Sequence, residues 1–315
     1  MTLYIPFVCI AIGCLISWKG LPDKVLEIVN FIMNSALMLL MAVIGLNVGT
    51  SEEVLDNIGH IGLNCIIMCL GSVFFAVVLV VILEKTIVPL EEIRLKLMEE
   101  KGLSFKTPPE SKGVDPLMIG MPLAIILGLV LGIFVFPDIS NKTLDILLTI
   151  SLIFLYTGAG VSLAANKIAF LYIRKLGLRI LLLPLAIFIG GLISGMIMSK
   201  LLGIDLCWSV TASSTMGYYS LPGAFMTEAY GVEAGVYGFM VNIFRDIFTV
   251  SLMPILKKIS KGAPIASGAG GCMDSMFIPV THAVGPELGI AGLIVGTIIT
   301  IFVPFWLPLS QMIFG

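Results

Sequence analysis

Charge is what this 315-residue sequence has least of. Asp, Glu, Lys and Arg together make up 12%, against 58% hydrophobic residues. Soluble domains carry about twice that charged fraction, so a soluble core is excluded. The charges crowd into Glu84–Asp115 and a few short loops. Between them lie uncharged runs of the ~20 residues that a helix needs to cross a ~30 Å hydrocarbon layer. Histidine is almost absent: His60 and His282 are the two. No His-Glu-x-x-His occurs, which excludes a zinc protease of that type. No disulfide framework is implied, because Cys9, Cys14, Cys65, Cys69, Cys207 and Cys272 all fall in apolar or glycine-rich stretches. Cys65 and Cys69 share a helix face at i, i+4 but lack His or carboxylate neighbours, so packing explains them better than a metal. The first residues have no basic flank, so 3–18 reads as a short first span and not as a cleaved signal.

What remains is membrane-spanning helix. Eight full spans are expected at about 3–18, 29–49, 61–83, 116–136, 144–166, 180–199, 234–256 and 288–313. Two glycine-rich, weakly apolar stretches, 207–231 and 262–286, are left over. The segment 84–115, with Pro108-Pro109 and mixed charge, reads as a linker. Let that linker face the cytoplasm and let each leftover stretch enter and leave on one side. Then fifteen of the 18 Lys and Arg residues lie inside, Lys142 and Lys200 lie outside, and Arg245 lies within a span. That bias satisfies the positive-inside rule. A single crossing by 207–231 would move Lys257, Lys258 and Lys261 outside. Two re-entrant segments follow, with both termini outside.

The two stretches repeat one another at an offset of 54 residues. Ala212, Ser213, Gly217, Thr227, Ala229 and Gly231 meet Ala266, Ser267, Gly271, Thr281, Ala283 and Gly285. Each is followed by one span, so the two units are inverted. A fainter repeat at offset 115 aligns Gly13, Gly45, Gly62 and Leu63 with Gly128, Gly160, Gly177 and Leu178. Inverted repeats with broken helices build alternating access around a midplane site in many secondary transporters. Unpaired backbone groups are intolerable in lipid but useful where they line a protein cavity. Gly217, Pro222 and Gly223 interrupt the first box; Gly268, Gly270, Gly271 and Pro279 interrupt the second. Close helix packing alone would account for the glycines, but not for Asp274 beside them.

The span 234–256 carries Asn242, Arg245, Asp246 and Thr249 at i, i+3, i+4 and i+7, one polar stripe on an apolar helix. Each charge at mid-span costs about 2.5–3.5 kcal/mol on insertion scales, so the stripe faces the bundle interior and marks a functional site. The plainer alternative is a buried structural pair of Arg245 with Glu228 or Asp274. Arg245 and Asp246 are adjacent, hence ~100° apart around the helix, so each is expected to have its own partner. His282 is as readily a bystander as a proton relay.

Gly217-Tyr218-Tyr219-Ser220-Leu221, Thr227-Glu228, Gly231, Asn242 with Arg245-Asp246 and Pro254, Gly270-Gly271, and Met273-Asp274 with Pro279-Val280 stand in order. This array resembles the C-terminal half of LysO-type lysine exporters; before residue 205 the likeness is weaker. The resemblance implies export of L-lysine and its toxic analogues by antiport, with acidic residues within spans implicated. There are departures: Pro222 replaces a usual serine, Asp246 a usual glutamate, and Asp274 precedes Pro279 by five residues instead of four.

The expected fold is an all-α membrane protein of about eight transmembrane helices plus two re-entrant, discontinuous segments. Its units are 1–83, the linker 84–115, 116–206 and a transport core 207–315. The expected function is antiport of L-lysine or a related cationic amino acid against H⁺ or Na⁺ across a prokaryotic inner membrane. No other cofactor, no enzymatic activity and no nucleic acid is expected; a homodimer is allowed. Candidate substrate and ion ligands are Asp246, Asp274, Arg245, Asn242, Glu228, Ser220, Tyr219, Gly217, Gly271 and Thr249. Na⁺-coupled uptake of an anionic amino acid, with Arg245 as anchor, is the rival. An intramembrane aspartyl protease using Asp246 and Asp274 is more distant, because Asp274 lacks a Gly-x-Gly-Asp setting. Cysteine accessibility should place 84–115 and Lys257–Lys261 in the cytoplasm and Asn141 and Gly315 outside. Labelling of the linker from outside intact cells would overturn that orientation.

Overall fold

A computed structural model describes residues 5–17, 21–50, 52–99, 116–136, 139–165, 178–273 and 275–315. Among them every regular element is helical. The first half comprises α1 (Ile5–Ser17), α2 (Asp23–Thr50), α3 (Glu52–Thr86), α4 (Leu90–Glu99), α5 (Pro116–Phe134) and α6 (Asn141–Ala165). A 3-10 turn at Leu178–Leu181 leads into α7 (Leu182–Leu202). Then come α8 (Leu206–Ser214), α9 (Ser220–Tyr230), α10 (Val232–Ile259), α11 (Gly262–Gly268), a 3-10 turn at Ala269–Met273, α12 (Phe277–Val284) and α13 (Pro286–Phe314). Five segments are long and apolar enough to cross a bilayer: Glu27–Thr50, Leu55–Thr86, Leu178–Leu202, Val232–Ile259 and Pro286–Phe314. Phe7–Ser17 and Leu123–Phe134 are shorter apolar helices. Their outward faces carry leucine, isoleucine and phenylalanine in the open, among them Leu15, Phe31, Phe74 and Phe134. That is the expected surface of a chain solvated by lipid.

Glycine decides how the first half packs. A β-carbon on Gly45 would strike the Ile125 carbonyl of α5, and one on Gly128 the Ala42 carbonyl of α2. In the same way Gly13 of α1 abuts the Thr157 carbonyl of α6, and Gly160 abuts the Ile10 carbonyl. Small residues at these crossings bring backbones into direct van der Waals contact, the packing that substitutes for a hydrophobic driving force between helices in lipid.

Each glycine-rich stretch is a helical hairpin. In the first, Asp205 starts α8 by accepting from the N–H groups of Cys207 and Trp208. Gly217 (φ +88°) turns the chain into α9, and Gly231 (φ +97°) turns it again into α10. Cys207 Sγ donates to the Tyr230 hydroxyl at 3.0 Å, so the hairpin ends where it began. The second runs α11, the 3-10 turn and α12, then bends at Gly285 (φ +96°) into α13. Residues 54 apart do the same work. The Gly231 and Gly285 N–H groups donate to the carbonyls of Thr227 and Thr281. Gly235 and Gly289 each make room for the hydroxyl of that same threonine.

Helix α3 runs alongside α10 and orders the hairpins along the bundle. Asn64 donates to the Tyr237 hydroxyl near the feet of the first hairpin. Ser72 meets Arg245 halfway, and Glu84 accepts from the Gly262 N–H at a foot of the second. The feet therefore lie at opposite ends of the bundle and the tips meet between them, where the Gly270 N–H donates to the Met216 carbonyl at 2.8 Å.

The segment 84–115 begins differently from a plain linker. Glu84 belongs to α3, and Leu90–Glu99 forms a helix; 100–115 lie outside the described residues. Glu91 and Glu92 suit its first turn, and Leu90 is fully buried beside Gly262. Lys261 pairs with Glu91 and holds its carboxyl below the usual carboxylate range. Arg94 lies 3.2 Å from Glu91 and 3.9 Å from Glu287, so α4 touches both feet of the second hairpin.

Gly128→Leu should destabilise the protein by at least the 1–3 kcal/mol typical of overpacking. Gly62→Leu, with nothing within 4 Å of its β-carbon, should be neutral or slightly stabilising. Thermal unfolding of the two variants in detergent checks the contrast.

Candidate functional site

The four stripe residues of α10 are all 2% exposed or less, and they meet the tips of both hairpins. Asn242 serves the first. Its Oδ1 accepts from the Gly217 N–H at 2.8 Å. Its Nδ2 lies 3.0 Å from the Ala212 carbonyl and 2.8 Å from Thr215 Oγ1. Arg245 serves the second. Its Nε donates to the Ser267 carbonyl at 2.8 Å and its Nη2 to the Ala266 carbonyl at 2.9 Å. Ala212 and Ala266 are counterparts in the 54-residue repeat. Helix α10 thus caps the open carbonyl ends of α8 and α11, groups that a helix C-terminus always leaves unpaired. Nη1 of Arg245 reaches Ser72 Oγ at 3.3 Å, and Thr249 Oγ1 lies 2.7 Å from Ser267 Oγ.

Asp246 stands ~100° further round the helix than Arg245, as adjacency requires. Ser275 Oγ donates to its Oδ2 at 2.7 Å. A β-carbon on Gly271 would lie 3.0 Å from Asp246 Oδ1 and 3.1 Å from Ser275 Oγ, so glycine keeps the carboxylate's surroundings open. At Gly217 the reason is different. A β-carbon there would meet its nearest neighbours at an ordinary 3.6 Å, but φ is +88°. Each tip also holds a non-glycine residue at positive φ, Met216 (+55°) and Ala269 (+43°). Such backbone is costly and clusters at functional sites.

The structure therefore gathers Asn242, Arg245, Asp246, Thr249, Gly217 and Gly271 around the two hairpin tips. Tyr219 and Ser220 begin α9 beside them, with the Tyr219 ring 6.1 Å from that of Phe239. Glu228 is not brought to the tips. It sits eight residues along α9, about 12 Å from Ser220, within electrostatic reach of buried Tyr156. Pairing of Arg245 with Glu228 is accordingly replaced by capping of backbone carbonyls. Asp274 lies outside the described residues. His282 is exposed. Sequence reasoning passed over Ser72, Thr215 and Ser275. Single hydroxyl residues in apolar or glycine-rich sequence carry no periodic signal, and only Ser267 had one, through the repeat.

Replacing Arg245 by Met should orphan two buried carbonyls, at about 1–3 kcal/mol each, and lower the melting temperature sharply. Arg245→Lys, which keeps the charge but lacks the fork geometry, should recover part of the loss. An unchanged melting temperature for Arg245→Met would exclude the capping role.

Comparison with known proteins identifies the family. The family described as "Lysine exporter LysO" matches residues 123–310. The protein named "Lysine exporter LysO" from Escherichia coli (strain K12) is 23% identical over 226 residues, covering 70% of this chain and 74% of that protein. The protein named "Putative lysine exporter" from Haemophilus influenzae is 27% identical over 173 residues, covering 52% of this chain and 83% of that one. No solved structure matches. The matched region runs from α5 to α13 and contains both hairpins and the whole polar stripe, and the chain belongs to the lysine exporter LysO family.

Proposed function

We propose that this protein is a secondary transporter of a prokaryotic inner membrane that exports L-lysine or a related cationic amino acid by antiport with H⁺ or Na⁺. The observation that carries this reading is Asp246, a carboxylate buried in α10 where the tips of two broken hairpins meet. The relatives' names supply the substrate class.

The chemistry divides between the two kinds of helix end. The carbonyl ends of α8 and α11 are satisfied by Asn242 and Arg245. The N-termini of α9 and α12 carry no side-chain cap, and helix N-termini take carboxylates in transporters of this kind. An amino acid would set its α-carboxylate on these amides and its ammonium on Asp246. Lysine leaving the cytoplasm moves against an inside-negative potential, at about 2.3 kcal/mol per 100 mV. One entering H⁺ or Na⁺ cancels that term, and Asp246 is the group that would hold cation and substrate in turn.

An inverted-repeat architecture, with re-entrant hairpins from opposite faces and both termini outside, belongs to the same proposal. The hairpin feet at opposite ends support it. So do the reciprocal contacts of the first half: α1 crosses α6 at Gly13 and Gly160, while their offset-115 counterparts α5 and α2 cross at Gly128 and Gly45. Such exchange of partners is what a two-fold relation between units produces. The geometry weighs against uptake of an anion with Arg245 as anchor, because three of its nitrogens are already engaged by Ser267, Ala266 and Ser72.

Asp246→Asn should abolish exchange in liposomes while expression and melting temperature stay near parental. Asp246→Glu, the residue usual in the family, should keep partial or full activity. Lysine counterflow at the parental rate by purified Asp246→Asn protein would end this assignment, and counterflow of glutamate in place of lysine would favour the rival.

A further inference from the structure

Between α3 and α10, on the outside of the bundle, lies a groove of about 530 Å³ whose lining is entirely aliphatic and aromatic. Val73, Val77 and Leu256 form its buried floor; Phe74, Ile82 and Ile255 form an exposed rim. Its upper end is at Leu70, level with the Ser72–Arg245 contact. Its lower end is at Ile82 and Ile259, by the feet of the second hairpin. Along α3 that is about 18 Å, close to the ~15 Å that one leaflet of a ~30 Å hydrocarbon layer supplies.

The lower mouth is basic. Lys85 follows Ile82 by three residues and Val81 by four, so it continues the same face of α3. Lys258 follows Ile255 by three, and Lys257 stands beside it. All three lysines are exposed. Among the described residues none of them is in an ion pair, whereas neighbouring Lys261 is taken by Glu91, and Glu84 is turned to the Gly262 N–H.

We propose that this groove holds an acyl chain of an anionic phospholipid whose phosphate rests on Lys85 and Lys258. The apolar channel alone would accept any acyl chain; the charge at its mouth selects the headgroup. A second copy of the chain fits poorly. Two copies sharing one orientation in the membrane would set these lysines against their own counterparts at one depth. The bound chain would wedge α3 against α10 just below the link between Ser72 and Arg245, so the lipid would brace the helix that caps both hairpins.

Native mass spectrometry of the full chain in detergent, titrated with phosphatidylglycerol or phosphatidylethanolamine of identical acyl chains, tests this. One phosphatidylglycerol should be retained, with affinity on the order of tenfold above phosphatidylethanolamine. Lys85→Glu with Lys258→Glu should abolish the preference while the weak, headgroup-independent binding stays. Val78→Trp, at the rim, should reduce binding of both lipids. Equal affinity of the parental protein for the two lipids would overturn the proposal, as would a preference that survives the double charge reversal. So would oxidative cross-linking of a Val78→Cys variant into dimers in lipid bilayers, which would assign the groove to a second copy.

Discussion

The arrangement of this protein depends on satisfying backbone carbonyls at helix ends that stop inside the bundle. A helix broken in apolar surroundings exposes its last carbonyls where no bulk water can reach them, at several kcal/mol per group in lipid. Here one continuous helix, α10, supplies the answer for both breaks. Asn242 reaches the end of α8 and Arg245 the end of α11. Without these side chains the Ala212, Ala266 and Ser267 carbonyls would each lose a buried donor. With them, the tips are fixed to the face of the helix that also carries Asp246.

This gives the polar stripe two separate roles. A guanidinium engaged with carbonyls is a structural cation, and its charge lies close to a carboxylate without forming its ion pair. Asp246 instead accepts from Ser275 of the second hairpin. Glycine extends the same logic. Gly271 leaves the carboxylate uncrowded, Gly217 takes a turn that L residues avoid, and Gly235 and Gly289 admit a threonine hydroxyl from the preceding half-helix. The tips also meet one another through Gly270 and Met216, so the site is made from both hairpins at once.

Much of this was legible beforehand, because lipid imposes strong sequence constraints. Helix positions followed from uncharged runs, and α10 stood out through four polar residues at helical spacing. The 54-residue repeat predicted that the stretches would share a construction, and Gly231 and Gly285 do end their half-helices alike, each donating its N–H to the carbonyl of the threonine four residues before. The segment after α3 read as a linker because its charges outweighed its leucines. Only the burial of Leu90 against Gly262 reveals why α4 folds there.

Composition and periodicity by themselves determined that the chain is helical and membrane-embedded, where its breaks fall, and which helix carries the buried charges. These are local consequences of hydrocarbon solvation and of glycine's backbone freedom. Tertiary structure alone decided the partners. Arg245 could have met Glu228 on sequence grounds, and it meets the carbonyls of Ala266 and Ser267 instead. Glu228 shares a hairpin with Ser220 yet lies a helix length from the tips. Backbone carbonyls have no letter in a sequence, so a side chain whose task is to satisfy them can be recognised only once the broken ends are seen to arrive beside it.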